Sequence, residues 1–572
     1  MLRYVALVSR SGRKDLASYA DGASFAGWPV ALAAPGVVAW SCVEPSSRLK
    51  VATFDGSCTF GRAFAGDWGA YVRLAVEPSG WLRLERDPTG RIECWRYALT
   101  PDVDLIFSHI GDVTRLLPEL EVDWAFIAYH LHNDWCRGAA TGLAGIEEVL
   151  PGQRLRYGHG RRDSGWSWRA DTFTTETYGD RSEAGAAIRA AAEAGVAAWA
   201  SVYDRIALDL SGGVDSAVVL GLLRGCKAAD AVTGVNFVLS RVEADERAYA
   251  RAAANLHGVE LIEAQVPEIS FADATPFAGR LLRPTNRTMP LGYDELSSEI
   301  ARRLGADAFM TGTAGDHLFF DAVDAEPVAD FVRGHGLSPY VWPVAYDIAK
   351  LSRDTVWNVL GAAARDLRTP KSLEARLRRE NPLLGPVARA GVDYARFAHP
   401  WVTDPSPQTP PAKRTQIALI TELQRHYWRY GRADVSEETH PLFSQPLMEA
   451  CLRTPSYWFG VGGMRRGFQR QIFADLLPES IRVRRTKGAN TAHWVSLFNR
   501  NLDHVRGLLL EGELQERGLL DRSALEQALQ PLALAAGREL MPLVRCLTAE
   551  MWVQGVRPSP AVRSRPRAAA VA

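Results

Sequence analysis

Leu208-Asp209-Leu210-Ser211-Gly212-Gly213-Val214-Asp215-Ser216 is the stretch that decides the fold. Its upstream half belongs to a buried strand over residues 205–210, and residues 217–223 downstream read as an apolar helix closed by Gly225. A strand that breaks on glycines straight into a helix leaves free amides at the helix start, and glycine lets the backbone approach an anion closely. The Ser211 and Ser216 hydroxyls add donors, so the segment predicts a phosphate cradle. No lysine follows the glycines, which excludes a Walker A loop. Asp215 is the informative member, because a carboxylate beside a phosphate makes sense when Mg²⁺ lies between them. The expected ligand is Mg²⁺-pyrophosphate, the part of ATP that leaves when AMP passes to an acceptor. A bare Gly-Gly pair would allow a plain strand–turn–helix packed on glycine.

Outward from the loop, strand and helix patterns alternate. Strands are expected over residues 231–239 and 260–264, with a helix over 245–256 capped by Gly258, and a helix over 295–304 leads into a strand over 306–310. This alternation predicts a parallel α/β sheet with helices on both faces. Beyond Pro327 the pattern is largely helical, and Asp404-Pro-Ser-Pro-Gln-Thr-Pro-Pro411 reads as an extended connector. Residues 1–175 have a different texture, β-rich and dense in Gly and Pro. A helix is expected near 122–133 and a strand at 153–157. Asp87-Pro88-Thr89-Gly90 is a strong turn signal between two alternating runs, 81–86 and 91–97, and predicts a hairpin. The Pro/Arg/Ala tail 557–572 is expected to be disordered.

At 572 residues the chain exceeds a single core, and 47% hydrophobic with 23% charged residues excludes wholesale disorder. Lys+Arg and Asp+Glu both total 66, so the basic surplus of a general nucleic-acid binder is missing. No run of 18 apolar residues and no secretory signal are present, so neither a membrane span nor export is expected. Seven scattered cysteines without a CxxC pair suggest buried thiols in a reducing cytoplasm. Only seven of the 66 basic residues are lysines. A lysine retained in so arginine-rich a chain invites a lysine-specific role.

Two more segments carry chemistry. Phe309-Met310-Thr311-Gly312-Thr313-Ala314-Gly315-Asp316-His317 again runs an apolar strand into a glycine loop and a carboxylate. Strand C-termini of a parallel sheet share one edge, so Asp316 can join Asp215 in holding Mg²⁺; taken alone it could equally cap a helix. Arg482-Val483-Arg484-Arg485-Thr486-Lys487 is either a solvated basic face or, through Lys487, a compact cation at a developing oxyanion or a phosphate. Asp294 and Glu295 read as helix-start charges, with substrate contact as the other possibility.

The Ser211–Ser216 loop is similar to the signature of the PP-loop ATP pyrophosphatases, and the three segments in this order resemble the asparagine synthetase superfamily. The resemblance covers most of the chain. It includes Thr141, Gly145-Ile146 and Leu150-Pro151-Gly152, which look like the close of that family's first domain, and His440-Pro441-Leu442-Phe443 with Arg485-x-Lys487 near the C-terminus. It implies an α/β chain: an N-terminal Ntn-hydrolase-like β-rich sandwich (1–175), then a PP-loop, adenine nucleotide alpha hydrolase-like parallel-sheet domain with a helical C-terminal region (176–556). It further implies that Leu210, Thr311 and Gly312 line the AMP site beside Ser211, Gly212, Gly213 and Ser216, that Asp215 and Asp316 bind Mg²⁺ on ATP, and that Lys487 is catalytic.

The departures matter as much. A working glutaminase needs a leading cysteine, whereas position 2 is Leu and the first cysteine is Cys42, so the first domain is expected to be a remnant without glutaminase activity. Thr313 stands where asparagine synthetases have Glu and β-lactam synthetases Tyr, and a threonine hydroxyl is a poor base. His317 follows the second Asp; it is either a hydrogen-bonding neighbour or catalytic. Gly-Asp-His-Leu-Phe looks most like the lasso peptide cyclases. That resemblance implies an ATP-dependent, AMP-forming ligase that adenylates an Asp or Glu side chain of a precursor core peptide and joins it to the N-terminal amine. The partners it suggests are the core peptide, a leader peptidase and a leader-recognition protein. A β-lactam synthetase-like amide ligase and an ammonia-dependent asparagine synthetase are the alternatives. The aromatic run around Tyr427 and the 404–411 connector are candidate wall and lid of a peptide pocket, although aromatics at such spacing are commonly core.

Overall fold

Apolar alternation and glycine turns in the first 166 residues build two antiparallel sheets of six strands each. In the first, Leu2–Ser9 lies between Val37–Val43 and Val103–Phe107; in the second, Trp68–Val76 lies between Ser57–Phe64 and Leu82–Arg86. The sheets face each other, with the buried ring of Tyr4 stacked on that of Phe60 at a centroid distance of 4.3 Å. This computed structural model describes every residue except 1, 22, 227–230, 240–244, 268, 287–290, 322–323, 370, 428–434, 486–490 and 557–572. The tail expected to be disordered lies outside the described residues.

The hairpin expected around residue 88 does not form. The turn is there, tied by Asp87, whose carboxylate accepts bonds from the Tyr71, Thr89 and Gly90 amides. Its flanks belong to different sheets: Leu82–Arg86 pairs in the second, Trp95–Ala98 in the first. Buried Arg86 explains the crossing. Its guanidinium reaches the Gly90, Ile92 and Val149 carbonyls and Glu148, so the chain wraps around a charge instead of folding back flat.

The second part is a five-stranded, wholly parallel sheet. Its order is Leu261–Gln265, Val232–Val238, Ile206–Asp209, Ala308–Thr311, Glu437–Thr439. Four of these strands match the sequence expectation to within two residues at each end, and Gly258 caps its helix in the left-handed conformation at φ 62°. Chain order reverses between Ile206–Asp209 and Ala308–Thr311. In open α/β sheets, ligands bind in the crevice at such a switch point, beyond the strand C-termini. The remaining chain is mostly helical. Its last helix, Leu540–Val556, is buried and runs back to the first part: the Trp552 ring leaves no room for a side chain at Gly142, and Trp552 Nε1 donates to the Leu281 carbonyl at 2.7 Å. No described helix is long and apolar enough to cross a membrane.

Candidate functional site

The first loop is shaped by steric need. Gly212 has φ 73°, and a Cβ there would lie 2.9 Å from the Glu246 carbonyl and from the Tyr249 Cβ. Leu210 is fully buried, and its carbonyl accepts from Asn236 Nδ2 at 2.8 Å, so it fixes the loop through backbone and core. Gly213 precedes the helix Val214–Arg224 without a side-chain cap, and Ser211 and Ser216 face each other at 3.3 Å between hydroxyls.

The second loop rests on the first. A Cβ on Gly312 would come within 2.4 Å of the Ser216 nitrogen, and one on Gly315 within 1.9 Å of Asp215 Oδ1. Ala314 between them is left-handed at φ 97°, a backbone conformation that costs a non-glycine residue about 1–3 kcal/mol. The contact brings the two predicted carboxylates together. Arg466 Nη1 lies 2.5 Å from Asp215 Oδ2 and 2.7 Å from Asp316 Oδ1. Gln469 Nε2 donates to the other Asp215 oxygen at 2.8 Å. The Asp316 side chain remains about half exposed (51%), whereas those of Asp215 (14%) and Arg466 (10%) are largely enclosed. Arg470 packs behind, bonded to the Ile481 and Arg482 carbonyls, and burial together with Arg466 pushes its guanidinium down to about 10.

Two carboxylates that converge on one cationic nitrogen fit a divalent cation. No described group of three or more His, Cys, Asp and Glu side chains forms a metal cage. A Mg²⁺ held here would take Asp215 and Asp316 and fill its other positions from water and nucleotide phosphate, the usual arrangement for this ion.

Lys487 lies outside the described residues. Its segment divides. Arg482 pairs locally with Glu479 at the surface, while Arg484 reaches Glu246 and lies over the Tyr249 ring at 3.7 Å, beside Gly212. Arg484 therefore borders the phosphate loop. His317 Nε2 stands 3.8 Å from Glu422, Asp294 is buried in the first turn of its helix, and Glu295 is exposed.

Thr311 ends its strand and begins a hydroxyl chain that the sequence did not announce. Its Oγ1 donates to Thr313 Oγ1 at 2.8 Å and lies 2.8 Å from Nδ1 of fully buried His440; Glu438 stands 3.8 Å from His440 Nε2. His440 follows the edge strand Glu437–Thr439, which the first part of the chain grips. Glu437 Oε1 accepts from Ser47 Oγ at 2.7 Å, the Arg48 amide at 2.9 Å and the Leu49 amide at 3.2 Å, and Oε2 accepts from Tyr203 at 3.0 Å. Tyr427 stacks on Phe443 and packs, tilted, against His440 at a centroid distance of 4.6 Å, a core role; Trp428 and Tyr430 lie outside the described residues. The connector proposed as a lid is fastened instead. Arg169 donates to the Asp404 carbonyl and the Ser406 amide to Asp171, an arrangement that suits a fixed wall.

The parallel sheet thus carries a glycine loop and a carboxylate at each of two neighbouring strand ends, where open α/β sheets bind their ligands. Residues 187–554 match the asparagine synthase family, and the chain belongs to it. The family's chemistry is ATP-dependent C–N bond formation, typically with Mg²⁺, and membership supports an ATP-dependent amide-forming ligase in general. Comparison with curated proteins returned no match. Among solved structures, the "allosteric regulatory enzyme of purine biosynthesis" aligns over 54% of this chain and 89% of its own, at 10% identity and a TM-score of 0.19, too loosely to bear on function.

Proposed function

We propose that this protein is a lasso peptide cyclase: it closes a macrolactam ring in a precursor core peptide at the expense of ATP. The peptide's Asp or Glu carboxylate attacks the α-phosphorus of ATP, and pyrophosphate departs with the electrons of the broken P–O bond. The N-terminal amine then attacks the acyl carbon, loses a proton, and displaces AMP. Loop amides, Ser211 and Ser216 bind the departing pyrophosphate, and Lys487 offsets negative charge at the reacting phosphorus and acyl oxygen. Mg²⁺, held by Asp215 and Asp316, would neutralise phosphate charge. Holding amine and acyl carbon in one enclosure is worth up to about 7–11 kcal/mol.

The observation that carries the adenylating half is the convergence of Asp215 and Asp316 at the switch point. Two features support an amine carried by the substrate in place of ammonia made by the protein. Burial pushes the thiols of Cys58 and Cys451 up to about 12 and those of Cys94, Cys136 and Cys546 to about 11, leaving all five unreactive at neutral pH. Thr313 stands in place of the acid–base residue expected in small-molecule synthetases. The test is to incubate the full chain with ATP, Mg²⁺ and leaderless linear core peptides. AMP, pyrophosphate and a product lighter by one water are expected. ADP with phosphate overturns the proposal; AMP formed only with free ammonium and aspartate, or with a small amino acid, replaces it by one of the other family activities.

A further inference from the structure

Arg466 is a buried guanidinium in direct contact with the carboxylates, with that of Arg470 packed behind it. Besides Asp215 and Asp316 it has Asp321 at 3.9 Å, which is itself held by Arg465 at 2.8 Å. Its backbone is left-handed at φ 55°, a conformation a side chain adopts at a cost, so local preference does not place it there. The next glycine fixes the approach: a Cβ on Gly467 would lie 2.1 Å from the Val461 carbonyl. The loop is thus built to deliver one cation to the point where the two strand-end carboxylates meet. With Gln469 on Asp215 Oδ1 and Arg466 on Oδ2, both Asp215 oxygens are occupied.

We infer that Arg466 is the resident cation of the Asp215–Asp316 pair, holding the carboxylates in position in the nucleotide-free protein and keeping free divalent cations out until one arrives on a nucleotide. Two like charges less than 6 Å apart repel, and Asp215, the enclosed member of the pair, is poorly screened by water, so it needs a counter-charge beside it. Arg466 supplies it. A bare divalent ion must displace that guanidinium for two carboxylate bonds. An ion carried on triphosphate brings anionic oxygens that can receive the released guanidinium. Arg466 is therefore a positioning residue, and it makes metal and nucleotide binding mutually dependent. The nucleotide clause rests on the proposed function; the metal-only clause does not.

The test uses Mn²⁺ alone, followed by electron paramagnetic resonance on the full chain. Arg466→Met is expected to bind Mn²⁺ about tenfold or more tightly than the unaltered protein, with the gain lost in Asp215→Asn/Arg466→Met. Equal Mn²⁺ affinity with and without Arg466 overturns the inference. A second measurement needs no variant. Millimolar Mn²⁺ alone should leave the melting temperature of the unaltered protein unchanged, whereas Mn²⁺ with α,β-methylene-ATP should raise it. A rise with Mn²⁺ alone overturns the inference. Failure of the analogue to bind sinks the nucleotide reading, and the Mn²⁺ comparison still decides the role of Arg466.

Discussion

Thr311 Oγ1 and His440 Nδ1 stand 2.8 Å apart at the ends of two adjacent parallel strands. Because Thr311 gives its own hydrogen to Thr313, His440 is the donor to Thr311. The Thr313 hydroxyl hydrogen is then available to a group in the crevice. Replacing His440 by Leu removes one bond to the buried Thr311 hydroxyl, which keeps its bonds to Thr313, and should cost about 0.5–1.5 kcal/mol in urea denaturation, with Asn recovering part of it. In the ring-closing assay, Thr313→Val should lower the rate about 10- to 100-fold while Thr313→Ser stays within a few-fold. Equal rates for Val and Ser would remove the hydroxyl from the chemistry.

Glu437 gives the first part of the chain a mechanical task independent of any glutaminase chemistry. Its carboxylate gathers donors from residues 47–49 and from Tyr203, with Arg91 3.5 Å away, and it sits three residues before His440. Glu437→Ala should destabilise the protein by about 3–5 kcal/mol, since it leaves Arg91 buried beside a lost partner. Limited proteolysis should then cut near residues 47–49 before the rest unfolds. Intact protection there would show that the sheets hold without this bond.

Asp215 and Asp316 are expected to separate in stability and agree in function. Either Asn substitution should reduce pyrophosphate release with ATP and core peptide by at least about 100-fold. Asp215 is enclosed and bonded to Arg466 and Gln469, so its loss should cost about 1–3 kcal/mol of stability; Asp316 is half exposed, and its loss should cost no more than about 1 kcal/mol. Melting curves in the absence of nucleotide distinguish the two. Equal destabilisation would contradict the asymmetry.

Much of this site could be read from the chain, because strand-to-loop transitions with glycine carry local signals. Gly212 needs a positive φ, Gly312 and Gly315 need to lack a Cβ, and the apolar strands around them are short and cleanly bounded. Arg466 gave no such signal. In a chain with 59 arginines a buried bridging arginine looks like any surface one, and its partners are some 150 and 250 residues away in sequence. His440 was noted only as part of a motif, since its partnership with Thr311 exists only once the edge strand Glu437–Thr439 is added to the sheet. The failed hairpin has the same origin. The turn chemistry at Asp87 was legible, but the burial of Arg86, which sends the flanking runs to different sheets, is a tertiary fact.

His399 supplies a pH dependence remote from the nucleotide loops. The imidazole is fully buried against Trp401, with Nδ1 accepting from the Trp401 amide at 3.2 Å, and burial pushes it down to about 3. Its ordinary value is about 6.5. Between those limits the unfolded chain binds a proton that the folded chain refuses, so stability rises with pH across this window. The contribution is fully present above pH 6.5 and is lost as pH falls toward 3, at up to about 1.4 kcal/mol per unit. His399→Asn keeps an acceptor for the Trp401 amide but cannot titrate. Its unfolding free energy, measured in urea from pH 7 to pH 5, should fall less steeply than that of the unaltered protein, by up to about one proton's worth. Parallel curves would mean that the acid sensitivity arises at other buried groups and that His399 takes up its proton without unfolding.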